Sequence, residues 1–137
     1  MLNGNSRGIE AALQEHRIDL GLVEGIFRLP SLKYLPFLQD ELVAVVNAHS
    51  KFAVQDEITP EELPDIPLVL RERGSGTLDV FERALSQHNM KLSSLHVLMY
   101  LGSTESIKLF LEHTDCMGIV SILSLIHISE PTRLALI

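Results

Sequence analysis

Apolar strand-like runs alternate with amphipathic helical patterns along most of this chain. Three of the junctions carry a small, hydroxyl-bearing turn: "NGNSRG" at residues 3–8, "RERGSGT" at 71–77 and "LGSTES" at 101–106. The alternation is the strongest constraint on the fold. Strands that feed helices one after another call for crossover connections, and these favour an α/β architecture with a mainly parallel sheet.

Residues 6–14 carry Ile9, Ala12 and Leu13 at helical spacing, with Ser6 where an N-cap hydroxyl would stand. "IDLGLVEG" at 18–25 then reads as a buried parallel strand closed by Gly25, and "LKYLPFL" and "ELVAVVN" as two more extended runs. Thr59, Pro60 and Glu62 make a capping box that opens a short helix, with Pro64 and Pro67 setting its end. Val69 and Leu70 form a strand. Leu78, Phe81, Ala84 and Leu85 trace one helical face, and "HVLMYL" is a further strand. A helix with Ile107, Leu109, Phe110 and Leu111 then leads into a last strand, "CMGIVS".

At a helix N-terminus the first backbone N–H groups lack intrahelical partners, and the macrodipole adds partial positive charge, so a carboxylate or phosphate is welcome there. In open α/β sheets such turns gather beyond the carboxyl ends of the strands. The three junctions therefore predict a small polar or anionic ligand held by backbone N–H groups and Ser or Thr hydroxyls. Ser, Thr and Gly also cap helices that bind nothing, and the spacing accommodates either use. Nucleotide phosphates are a poor match, since no Lys follows "GSGT" and neither glycine turn has the dinucleotide spacing.

Patterns for catalysis are weak. His16, His49, His88, His96, His113 and His127 are scattered without metal-ligand spacing and read as solvated or packing residues. Ser75 has no base near it in sequence, and "PEELPD" reads as a cap or a solvated face. Arg71 and Arg73 offer either a fork for a carboxylate or ion-pair partners for Glu72 and Glu82. The expectation is binding without catalysis, cofactor or metal.

The balance of 18 acidic against 11 basic residues, a net charge of -7, argues against a phosphate-backbone grip by this piece. Cys116, the single cysteine, excludes an internal disulfide and reads as a buried, inert thiol suited to the cytoplasm. Neither a membrane-length apolar stretch nor a signal-peptide layout is visible, which predicts a soluble, unsecreted protein without membrane contact.

Taken in order, "GNSRGIEAALQEHRIDLGLVEG", "LPFLQDELVAVVNAHSKFA", "ITPEELPDIPLVLRERGSGT" and "LGSTESIKLFLEHTDCMGIVS" resemble the effector-binding domain of LysR-type bacterial transcriptional regulators. The resemblance runs from about residue 4 to residue 121. It implies a two-lobed, periplasmic-binding-protein-like fold of type 2 with a small inducer in the cleft. Residues 1–43 would be a partial first lobe, 44–118 the second lobe and 119–122 a hinge strand, while 123–137 resemble translated vector sequence. The effector contacts it implies are Asn5 and Ser6, Glu24 near the hinge, Gly74, Ser75, Gly76 and Thr77 in the second-lobe turn, and Ser103 and Thr104. It further implies a homodimer or tetramer in the full-length protein, with DNA contacted only through a winged helix-turn-helix domain outside this chain. An incomplete first lobe would leave apolar faces and sheet edges uncovered, a route to association. A transporter's solute-binding protein and an enzyme of the prephenate-dehydratase or porphobilinogen-deaminase kind are the alternatives on this fold.

Overall fold

The computed structural model describes residues 1–125 and 132–136, with only the backbone described for residues 124, 125 and 132–136. Five strands form one sheet: β1 (Leu42–Asn47), β2 (Leu68–Arg71), β3 (Val97–Leu101), β4 (Met117–Ser121) and β5 (Thr132–Leu136). Among the described residues three α-helices accompany them: α1 (Ser6–Gln14), α2 (Gly76–Gln87) and α3 (Thr104–His113). The strand order is β3-β2-β4-β1-β5. β2 runs parallel to both β3 and β4, whereas β1 runs antiparallel to both β4 and β5.

That order explains where the helices go. From β2 the chain steps outward to β3, and from β3 it steps back past β2 to β4. Right-handed crossovers in opposite directions land on opposite faces of a sheet, and α2 and α3 do so. The period-2 alternation of the strands then sorts the core into two layers. Ala44, Val46, Leu68, Leu70, Met117 and Ile119 meet Leu78, Phe81 and Leu85 of α2. Val43, Val45, Val69 and Val120 meet Ile107 and Leu111 of α3, with Cys116 among them. Because both faces are covered, the central strands read as unbroken apolar runs.

Several expectations need correction. The sheet is mixed, since β1 returns antiparallel against β4 with Val43 opposite Val120. Residues 18–25 form no strand: Leu20 is 84% exposed and Leu22 is exposed too. Residues 32–38 likewise join no ladder, and Leu35, Phe37 and Leu38 face solvent. An apolar run becomes a strand only where a neighbour supplies its ladder, and among the described residues none flanks these two. The capped segment after Thr59 is a 3-10 turn over Pro60–Asp65. The cap itself forms, with the Glu62 carboxylate accepting the Thr59 N–H at 2.7 Å; Pro64 lacks the N–H an α-helix would use there. Of the 123–137 segment, residues 126–131 and 137 lie outside the described residues, and 132–136 supply β5.

The stretch between α1 and β1 is held by side chains instead of a ladder. The Tyr34 hydroxyl donates to the buried Glu10 carboxylate at 2.6 Å and accepts the Leu29 N–H at 3.2 Å. Arg28 donates to the carbonyls of Gly25 and Phe27 and lies 4.7 Å over the Tyr34 ring. This packing brings the turn at residues 24–25 against the start of α2.

Candidate functional site

At the start of α2, Ser75 is the N-cap: its backbone is extended and its hydroxyl accepts the Thr77 N–H at 3.1 Å. Ser75 and Thr77 are 1% and 2% exposed. At α1 the cap is Asn5, which accepts the Gly8 N–H at 2.9 Å, so Ser6 is the first helical residue and not the cap that the sequence suggested. A shorter hydroxyl in that role is replaced by an amide that can do two things at once. The Asn5 side-chain carbonyl caps the helix, and its Nδ2 donates to Glu72 at 3.1 Å.

Ser6 is thereby released to reach across the chain. Its hydroxyl donates to the Glu24 carbonyl at 2.9 Å and accepts the Glu24 N–H at 3.2 Å. From the other side, the Thr77 hydroxyl donates to the Glu24 carboxylate at 2.6 Å. The Arg7 N–H donates to the carbonyl of Gly74, which sits at a φ of +94°. Gly76 lies against Glu24 so closely that an added Cβ would stand 2.0 Å from the Glu24 carbonyl oxygen. Only glycine permits that approach. Asn5, Ser6, Glu24, Gly74, Ser75, Gly76 and Thr77 thus come together in one polar cluster at two helix N-termini.

Ser103 and Thr104 stand one strand away. Ser103 caps α3, accepting the Ser106 N–H at 3.1 Å, and Thr104 is buried. Their turn meets the second one through Arg71, which donates to the Gly102 carbonyl at 3.4 Å, and through the Glu72 N–H, which donates to Leu101.

The arginines take the ion-pair alternative. Arg71 contacts Glu72 at 3.1 Å and Arg73 contacts Glu82 at 3.3 Å, while Arg7 approaches Asp79 at 3.6 Å. Burial works to raise the Glu72 carboxyl, but hydrogen bonds from Arg71, its own backbone N–H and Asn5, with the Arg71 charge, outweigh it and hold the group below the ordinary carboxylate range. Glu72 is the site residue that sequence reasoning assigned only to an ion pair. No local pattern signals a partner 67 residues away.

Every buried side-chain polar atom among the described residues has a partner. Beside the cluster lies a shallow depression of ≈ 320 Å³, lined by Arg7, Ile26, Phe27, Asp79 and Glu82; Ser6, Ser75 and Thr77 do not line it. Among the described residues no three His, Cys, Asp or Glu side chains are grouped to hold a metal ion, and no helix is long and apolar enough to cross a membrane.

The family model for the LysR substrate binding domain matches residues 1–136. The chain belongs to this family. Over 110 residues it is 36% identical to the HTH-type transcriptional regulator YeiE of Escherichia coli (strain K12), a match covering 80% of this chain and 36% of that protein. Over 96 residues it is 30% identical to the HTH-type transcriptional regulator CysL of Bacillus subtilis (strain 168), covering 69% of this chain and 32% of that one. The chain therefore spans about a third of the length of these curated relatives. Among solved structures, the Synechocystis PCC6803 CcmR regulatory domain in complex with 2-PG aligns with a TM-score of 0.79 at 26% identity, covering 96% of this chain and 62% of that one. The effector binding domain of QuiR in complex with shikimate aligns with a TM-score of 0.83 at 20% identity, covering 98% and 62%. This LysR domain accordingly has the α/β, periplasmic-binding-protein-like fold, of which it covers part. The relatives named here are transcriptional regulators rather than enzymes.

Proposed function

We propose that this chain is the effector-sensing module of a LysR-type transcriptional regulator, taking a small polar or anionic effector where the turn at residues 5–8 meets the turn at 74–77. The observation that carries the reading is the gathering of Asn5, Ser6, Glu24 and Gly74–Thr77, remote in sequence, at the N-termini of α1 and α2. Two helix N-termini with hydroxyls between them suit a carboxylate or phosphate. That CcmR is seen with 2-PG and QuiR with shikimate supports a small, oxygen-rich effector class. Ser103 and Thr104 extend this site at its far side.

In this reading residues 1–43 and 44–118 act as two lobes about a hinge at 119–122, with β5 at 132–136 added to the edge of the second-lobe sheet. Effector biases lobe closure or the packing of a homodimer or tetramer. That bias reaches promoter DNA through a winged helix-turn-helix domain elsewhere in the full-length regulator, in the cytoplasm. In this reading the module binds without chemistry: the Ser75 hydroxyl is engaged as a cap, and among the described residues none is seen hydrogen-bonded to it as a base.

Titration calorimetry with shikimate, 2-PG and a panel of small carboxylates and phosphates tests the reading. Ser6→Ala and Thr77→Val each weaken binding by about tenfold, as loss of a hydrogen bond to a charged group implies. Binding indifferent to both substitutions, or absent across the whole panel, rules the site out.

A further inference from the structure

The polar cluster is closed on itself, and one residue closes it. Glu24 takes the Thr77 hydroxyl on its carboxylate and exchanges two hydrogen bonds with Ser6 through its main chain. Its backbone lies against Gly76 with no space for an intervening atom. The hydroxyls expected to hold a ligand from the two sides of the site are therefore both engaged by the same amino acid.

We propose that Glu24 is an autoinhibitory plug, a resident carboxylate that the effector must displace. A ligand oxygen that reaches Thr77 has to replace the Glu24 side chain. One that reaches Ser6 has to detach the Glu24 main chain, which moves the turn at 24–25 away from α2, so occupation and opening are one event. The geometry makes the exchange inexpensive. Glu24 is exposed, and water takes over its hydrogen bonds once it swings out. Thr77 is buried while Glu24 is in place, and its hydroxyl, freed when Glu24 swings out, can be donated to the incoming ligand oxygen. Glu24 and Glu72 also place two carboxylates in the cluster, which selects against an anion until Glu24 has moved.

The ligand half of this inference rests on the functional reading above, while the contact itself does not, and two measurements separate them. Amide hydrogen exchange on the ligand-free chain compares wild type with Glu24→Gln and Glu24→Ala. The alanine variant loses the carboxylate contact to Thr77 and keeps the main-chain contacts to Ser6, so it exchanges roughly three- to tenfold faster at residues 74–78, with 43–47 and 117–121 unchanged. Unaltered exchange at 74–78 overturns the plug whatever binds. Should the alanine variant lose protection in the core strands as well, Glu24→Gln, which keeps the shape but offers Thr77 a weaker, uncharged acceptor, takes its place, with a smaller rise in exchange at 74–78 expected in the same direction.

The second measurement titrates shikimate and inorganic phosphate. Removing a competitor tightens binding, so affinity rises roughly three- to tenfold in Glu24→Ala, with Glu24→Gln between it and wild type. Equal or weaker binding by the variants overturns the plug, because a residue that merely contacts the ligand lowers affinity when it is lost. If neither probe binds any variant, the failure belongs to the ligand reading for these probes, and the exchange measurement alone decides whether the plug exists.

Discussion

Asp40 accepts the hydroxyl of Ser121, 81 residues further along the chain, and its carboxylate also accepts the Leu123 N–H at 3.2 Å and the Glu41 N–H at 2.8 Å. It stands where the chain enters β1 and ties that point to the place where the chain leaves β4. One carboxylate thus closes the end of the β1–β4 ladder. Asp40→Ala is expected to lower the free energy of unfolding by about 1–3 kcal/mol, and Asp40→Asn by less, because the amide keeps an acceptor. Urea denaturation measures both, and an unchanged midpoint in the alanine variant would show that the clamp carries no stability.

Gly76→Ala sets a methyl group against the Glu24 carbonyl, a backbone atom that cannot rotate aside. Either α2 or the 24–25 turn has to move. A loss of about 2 kcal/mol follows from overpacking of this kind. Thermal unfolding within experimental error of wild type would mean that the two backbones separate freely.

Ser75→Ala removes a buried cap and should cost about 1 kcal/mol of stability. The family resemblance implies Ser75 as an effector contact. With the hydroxyl engaged on Thr77 N–H, its effect is expected in the unfolding curve, whereas Thr77→Val is the variant that reads on affinity.

Burial, with the Asp115 charge adding to it, pushes the Cys116 thiol up to about 11 from an ordinary 9.0. In the unfolded chain the thiol titrates near the ordinary value. Between those two pH values the unfolded state has released a proton that the folded state keeps, so stability is full below about pH 9 and falls as pH rises towards 11. The decline amounts to about 2 kcal/mol. Denaturation series from pH 8 to about 11 should show it in wild type and show a shallower slope in Cys116→Ala; parallel slopes would place the alkaline instability elsewhere.

What sequence reasoning recovers here depends on the range of the interaction. α1, α2, α3 and the central strands announce themselves through periodicity, since Leu78, Phe81 and Leu85 or Val43 and Val45 are core residues by local spacing alone. The same apolar content at Leu20 and Leu22 misleads, because a strand also needs a partner ladder, and composition is silent about partners. The site divides in the same way. Ser6, Ser75 and Thr77 are conspicuous as hydroxyls at helix starts, and the family resemblance adds Glu24. That Glu24 joins Ser6 to Thr77, that Asn5 displaces Ser6 as the cap, and that Glu72 receives Asn5 are matters of tertiary distance, with no trace in neighbouring residues.

β1 lies between β4 and β5, and both of its neighbours are made long after it. A ribosome adding about 5–20 residues per second needs roughly 4–16 s to travel from the beginning of β1 to the end of β4. For an interval of that length, beginning when β1 leaves the tunnel, Val43, Ala44, Val45 and Val46 have no ladder on either side and form an aliphatic segment open to any other nascent chain. Shielding of β1 during those seconds is therefore a demand that the finished fold no longer makes, and slower translation lengthens the exposure even in a variant whose finished fold is more stable.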